Sequence, residues 1–147
     1  MKRVGNFVWA GDEYRKLVLA EASKRLTIAA EQTAQFIRDS YGESGVRGKR
    51  GGATKAERHA NRSKPWQPPH VDTGHLKRST GWDSVSDYTR RIGTGIGNKE
   101  SVGYAMWLEF GTRLMQPRPF LRPGLFKMGP RIKKILMGKL PTWRLLT

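Results

Sequence analysis

The sequence has no cysteine among its 147 residues. That one absence excludes a disulfide framework, a thiolate zinc site and a cysteine nucleophile, and it fits a chain made in a reducing compartment. No run approaches the ~20 consecutive apolar residues that a membrane helix needs. The N-terminus offers Lys2 and Arg3, then only Phe7-Val8-Trp9-Ala10 before Asp12 and Glu13. This is too short for a secretory core, so neither a targeting segment nor a membrane partner is expected. The three histidines, His59, His70 and His75, have no neighbour at metal-ligand spacing. Gly93-Thr94-Gly95-Ile96-Gly97 lacks the lysine and hydroxyl residue of a phosphate loop. Ser79 and Ser84 have no His–Asp partners by motif, and the carboxylates are scattered rather than paired. The expectation is a non-enzyme with no catalytic residue, cofactor or metal.

Acid is also scarce, 12 residues against 28 basic ones, for a net charge of +16. Such a chain repels itself and attracts polyanions. The imbalance is uneven. Residues 1–42 carry +2, residues 43–70 carry +5, residues 71–112 are neutral, and residues 113–147 hold nine basic residues and no acid. One central segment and one tail therefore hold most of the excess, a pattern suited to an assembly subunit with two acid-facing surfaces. The plainer reading is a generally solvated basic surface.

The length is that of one domain able to bury its own core, and residues 1–147 read as a single α+β domain. Tyr14, Val18, Ala22, Leu26, Ala29, Thr33, Ile37 and Tyr41 recur at steps of three and four, which predicts a long helix from about Asp12 to Tyr41. Asp12 is placed to cap it, Glu21 and Arg25 to pair along it, and Gly42 to stop it. Its alanine-rich face invites close packing against a sheet. Residues 42–70, rich in glycine and then proline, predict an extended basic arm. The arm carries Arg47, Lys49, Arg50, Lys55, Arg58, Arg62 and Lys64, with one helical turn near 54–61 and Trp66 anchoring the far end.

Asp72-Thr73-Gly74 reads as a turn. Two strands follow, Leu76 to Tyr88 and Tyr88 to Ile96, joined at Ser86-Asp87. Residues 103–110 predict a short buried helix stopped by Gly111. Pro117, Pro119 and Pro123 stiffen the loop that follows. Leu125, Met128, Ile132, Ile135 and Leu136 predict a C-terminal helix over about 124–137, which Pro130 should kink or split. Residues 138–147 form a tail whose Trp143, Leu145 and Leu146 suit docking on a neighbour. The predicted architecture is a long N-terminal helix packed on a small antiparallel β-sheet, with a short helix, a C-terminal helix and a long basic loop.

Three blocks occur in order: Thr73-Gly74-His75-Leu76-Lys77-Arg78-Ser79, then Tyr104-Ala105-Met106-Trp107-Leu108-Glu109-Phe110-Gly111-Thr112, then Pro119-Phe120-Leu121-Arg122-Pro123. This layout resembles the tail-completion and head–tail joining (neck) proteins of long-tailed bacteriophages, the group that includes minor tail protein Z-like proteins. The layout covers the whole chain, and the motifs cover roughly residues 72–123. The chain departs from that pattern in its longer arm and in Gly124, where the family usually has alanine; the glycine predicts a weaker start to the last helix.

The resemblance implies a structural virion protein, a ring subunit at the head-proximal end of the tail, hexameric by family analogy. Its implied partners are sister copies, the head connector or head-completion protein, and the tail terminator or tail tube protein. Genomic DNA would pass through the ring, met non-specifically by the arm. The implied location is the tail or neck of the virion, after assembly in the host cytoplasm. Gly74 and Gly111 fit as turn and cap, Phe110 and Phe120 as core anchors. Glu109, the one charge in an apolar block, is expected to accept backbone hydrogen bonds or to pair with Arg113, Arg118 or Arg122; a catalytic acid is the lesser alternative. The competing function is a sequence-independent nucleic-acid-binding protein, with Trp66, Trp82, Tyr88 and Trp143 stacking on bases.

Overall fold

The first helix, α1, runs from Gly11 to Ser40 and spans about 45 Å. Asp12 and Glu13 sit in its first turn and Arg38 in its last, each sign matched to the helix dipole. It begins one residue earlier than expected, so Asp12 lies inside the first turn. Arg25 Nε meets Glu21 Oε1 at 2.9 Å, the expected pair four residues apart. The chain is seen in a computed structural model that describes residues 2–4, 7–9, 11–42, 63–71, 73–96 and 103–139. Arg47, Lys49, Arg50, Lys55, Arg58, Arg62, the turn expected at 54–61, and Trp143, Leu145 and Leu146 lie outside the described residues.

The fold is α+β. An antiparallel hairpin of β3 (Thr80–Ser86) and β4 (Thr89–Thr94) packs against α1, pairing Thr80 with Thr94 and Trp82 with Ile92. A first small hairpin, β1 (Lys2–Val4) with β2 (Phe7–Trp9), precedes the helix. It was not foreseen, although Gly5-Asn6 between two short runs is a two-residue hairpin signal. The strand expected from Leu76 starts only at Thr80. His75–Ser79 instead form a short helix, α2, entered through Gly74 at φ 75°. The hydroxyls of Ser79 and Thr80 both donate to the Leu76 carbonyl, at 2.9 Å each. Hydroxyl side chains that read as strand formers here satisfy a helix end instead.

After the short helix α3 (Ala105–Phe110) comes α4 (Leu121–Leu136), which returns antiparallel along α1. Gly124 lies on Ile37, Arg131 Nε donates to Gln32 Oε1 at 2.9 Å, and Arg25 Nη1 donates to the Gly138 carbonyl at 2.7 Å. On its other side α1 holds the hairpin. Arg90 Nη2 donates to Ser23 Oγ at 2.9 Å, Trp82 Nε1 donates to Glu31, and Arg38 donates to the Thr80 carbonyl at 3.3 Å. Helix α1 thus lies between hairpin and α4, and its small buried face (Ala29, Ala30, Thr33, Ala34) lets both approach. The core proper is Ile37, Tyr41, Leu76, Ala105 and Phe120, with Val71, Ile92, Leu108 and Leu121 packed around it.

Three expectations for this region change. Helix α4 is continuous through Pro130. Pro130 is exposed, so the carbonyl that loses its partner faces water. The helix buries Gly124 and Met128, while Leu125 and Leu136 are exposed and Ile132 and Ile135 are half-buried. Gly124 does not weaken the helix start: a Cβ there would sit 2.5 Å from Ile37 Cγ1, so the two helices meet through the missing side chain. Among the described residues no helix is long and apolar enough to cross a membrane.

Gly124→Ala should therefore destabilise the protein by about 1–3 kcal/mol through overpacking. Urea denaturation of Gly124→Ala, Ile37→Ala and the double variant checks this. The double variant should lose less than the sum of the two, because the added methyl then fills the space left by Ile37. Strict additivity would show that the contact does not set the helix spacing.

Candidate functional site

The second and third sequence blocks, separated by residues 113–118, are folded onto one another around Glu109. Helix α3 stops at Gly111, whose φ is 78° and whose amide donates to the Trp107 carbonyl at 2.8 Å. A Cβ on Gly111 would come 2.8 Å from the Met115 carbonyl oxygen, so both conformation and space require glycine. Thr112 and Met115 then exchange backbone hydrogen bonds at 2.8 and 3.2 Å, closing a tight turn. Leu114, at the tip, is 96% exposed. Arg118 N donates to the Leu108 carbonyl at 2.7 Å and brings residues 119–123 back past α3.

There the Glu109 carboxylate meets the start of α4. Oε2 accepts from the amides of Phe120 at 2.8 Å and Leu121 at 3.0 Å; Oε1 accepts from the amide of Arg122 at 3.0 Å and from its Nε at 3.1 Å. A helix begins with four amides that have no partner inside it. Here Glu109 takes three, and the fourth position is Pro123, which has no N–H. The motif Pro119-Phe120-Leu121-Arg122-Pro123 is thus a helix start whose donors are all accounted for by one residue of another helix. Burial alone would push the Glu109 carboxyl up. The three amides and the Arg122 guanidinium outweigh it and hold the carboxyl below its usual range. A carboxylate so engaged is a helix cap with no proton to give at neutral pH.

The remaining motif residues divide into core and surface. Phe120 is 1% exposed and packs against Tyr41, ring centroids 5.5 Å apart. Thr80 gives its hydroxyl proton to Leu76, so Tyr41 donates to Thr80 Oγ1, at 2.7 Å. Burial holds the Tyr41 hydroxyl protonated well above its ordinary range, only partly offset by that bond. Pro119 and Leu76 are buried, and Gly74 takes the left-handed conformation that opens α2. Thr73 serves that turn: its Oγ1 accepts from His75 N at 3.4 Å.

Phe110 does not anchor the core. It is 64% exposed, with the Arg122 guanidinium 4.8 Å above its ring. Nor is α3 a buried helix: only Ala105 and Glu109 are buried, while Tyr104, Met106 and Trp107 are exposed beside Phe110. Five consecutive non-polar positions cannot all face inward on so short a helix, and its inner face goes to Glu109. One turn beyond Arg122 on α4, Phe126 is 89% exposed. Met106 and Phe110 lie one turn apart on α3, Arg122 and Phe126 one turn apart on α4, and the Arg122–Phe110 contact joins these exposed rows into an outward strip, in which sequence reading missed Phe126. Its signal was the alternation of Phe126 with Met128, which puts them on different helix faces.

The C-terminal part of the arm is not loose. His70 bridges Gly42, Val71 N donates to the Gly42 carbonyl at 2.8 Å, and Trp66 N donates to Pro117 at 2.9 Å. Arg118 Nε donates to the Ser63 carbonyl at 3.0 Å, and Ser63 and Pro69 are buried. Residues 63–70 are therefore part of the folded body, and Lys64 is the one arm cation placed here, exposed beside that strap. Trp66 anchors through its backbone, with its ring exposed and φ at 65°. An open cleft of about 500 Å³ lies beside it, lined by Pro65, Leu114, Met115, Gln116 and Arg118. Its one charge, Arg118, is already given to Ser63. Among the described residues no three His, Asp or Glu side chains are grouped to hold a metal ion.

Comparison with known protein families, curated proteins and solved structures finds no match.

Glu109→Gln replaces two acceptors by one and sets an N–H against buried N–H groups; the expected loss is about 3 kcal/mol at pH 7. Because the folded carboxyl lies below its unfolded value, its contribution is complete above the ordinary carboxyl range. It is lost as pH falls through the lowered folded value. The stability gap between wild type and Glu109→Gln should accordingly narrow on acidification, as followed by urea titrations from neutral to acid pH. A gap independent of pH would contradict the ionised cap.

Proposed function

We propose that this protein is a structural subunit of a long-tailed phage particle, a tail-completion or neck protein that works in a ring at the head-proximal end of the tail and catalyses nothing. The observation that carries the reading is the joint at Glu109. Two of the three blocks that resemble the family are tied together by this carboxylate, and the tie leaves large apolar side chains facing outward. A rigid polar clamp beneath an apolar exterior is what a subunit needs when its surface is completed by neighbours. A catalytic site would need convergent unsatisfied polar groups in a concavity, and the carboxylate here is fully engaged.

In this reading sister copies meet by heterologous contact, one face against a different face, as closed rings require. Hexameric stoichiometry is taken by analogy. The head connector or head-completion protein would adjoin one side of the ring, and the tail terminator or tail tube the other. The genome would pass through the centre, with cations of residues 43–64 near its phosphates and no base readout. The protein would gather in host cytoplasm during assembly and end in the virion neck. The competing reading, a sequence-independent nucleic-acid-binding protein, draws on net charge and on aromatics such as Trp66, Trp82, Tyr88 and Trp143 that could stack on bases.

Removing the protein from a producing phage should leave filled heads and finished tails unjoined in lysates, seen by electron microscopy, and labelled protein should sit at the neck of intact particles. Absence of the protein from purified particles would overturn the assignment. If isolated protein also bound duplex DNA with a steep negative salt dependence, the nucleic-acid reading would replace it.

A further inference from the structure

The apolar strip over α3 and α4 has a counterpart elsewhere on the same chain. At the tip of the β3–β4 hairpin Val85 and Tyr88 are exposed, with the exposed Asp87 between them. The nearby cations are already engaged. Arg91 pairs with Asp83 at 2.6 Å, and Arg90 turns back to Ser23, Thr27 and the Ser86 carbonyl. The hairpin tip is thus a small apolar knob bearing a carboxylate. The α3–α4 strip is an apolar surface in a basic stretch: exposed Lys127 follows Phe126, exposed Arg113 follows the end of α3, and residues 113–147 contain no acid at all.

The two patches are well separated. The strip belongs to the end of the molecule where Gly124 meets Ile37, while Arg90 fixes the hairpin near Ser23. Those contacts, at Ser23 and Ile37, are fourteen residues apart on α1, about 21 Å along its axis.

We propose that the hairpin tip of one copy, Val85 and Tyr88 with Asp87, docks on the Met106–Phe110–Phe126 strip of a second copy, and that this head-to-tail contact joins neighbours in the ring. The occupant follows from charge. Two strips placed face to face would oppose Lys127 and Arg113 to themselves, and two hairpin tips would oppose Asp87 to Asp87. Each patch repels its own kind and matches the other. Duplex DNA offers no surface to bury Met106, Phe110 and Phe126. A membrane would have to take in Arg122, which sits in the middle of the strip on Glu109 and Phe110, whereas cations that serve membrane helices lie at the rim. The patches are small beside the ~800 Å² per partner of a stable interface, so association of the free chain is weak and concentration-dependent. This inference rests on the ring reading for its setting and on charge and exposure for its content.

The cysteine-free background makes the test direct. Full-length Tyr88→Cys and Phe126→Cys chains, distinguishable in mass, are mixed at high concentration with a short bis-maleimide. The expected result is a mixed covalent dimer in several-fold excess over either homodimer and over a control pair of Tyr88→Cys with Gln35→Cys. A chain carrying both cysteines should give a ladder. Asp87→Lys in the first chain should lower the mixed yield, and Lys127→Glu in the second should restore it. Circular dichroism of each chain confirms that folding is unchanged. A mixed yield no better than control overturns the proposal, as does a dominant Phe126→Cys homodimer. Selective capture of the strip by DNA or by anionic vesicles, with no mixed dimer, overturns it in favour of those partners. Particles in which Phe126→Glu protein still occupies the neck would sink this contact and leave the ring reading standing. A protein never found in particles would sink the ring reading while the cross-link could still form.

Discussion

A helix start buried against other elements must find acceptors for its first amides, and in this chain a single carboxylate supplies them. Glu109 reaches from α3 to Phe120, Leu121 and Arg122, and Pro123 removes the one remaining donor. The consequences run outward. Helix α3 and helix α4 become one body, because neither can rotate without breaking three charge-assisted bonds. With the inner face of α3 given to Glu109 and Ala105, its large apolar residues point to solvent. The side of the molecule that looks unfinished is thus fixed by the same bonds that finish the interior.

A second constraint comes from the shortage of acid. With 28 basic residues and 12 acidic ones, more than half of the basic groups cannot have a carboxylate of their own, and several arginines meet carbonyl oxygens. Arg25 holds the carbonyls of Leu136, Gly138 and Lys139 at the negative end of α4. Arg38 takes Thr80, Arg78 takes Thr73, and Arg118 takes Ser63. Arg78 closes its own turn, while Arg25, Arg38 and Arg118 brace elements distant in sequence. These arginines keep their charge while they bond carbonyl oxygens, so the net +16 stands, but some of their N–H groups are committed within the fold.

The long helix was legible because its signal is repeated over many turns, and the Glu21–Arg25 pair followed from spacing alone. Glu109 was legible as a lone charge among apolar residues, and its partner Arg122 was among three candidates. What escaped was tertiary. No local pattern says that Thr80 belongs to a strand while Ser79 ends a helix, since both hydroxyls seek the same Leu76 carbonyl. Nothing local distinguishes Phe120, in the core, from Phe110, outside it; the difference is which side of α3 Glu109 occupies. Gly124 read as a defect because its reason, the Ile37 side chain, lies on another helix. The strap at 63–70 read as loop because its bonds go to Pro117 and Arg118, far along the sequence.

The closure at Gly42 carries a different kind of consequence. Residues 42 and 70–71 are bonded neighbours, and the strap at 63–70 that leads to this junction is itself bonded to Pro117 and Arg118, so residues 42 and 63 are both fixed points on the body. Whatever passes between, its length enters the free energy of folding only logarithmically, about 0.6 kcal/mol per doubling. A change in the number of residues joining those two points is therefore cheap for the closure itself.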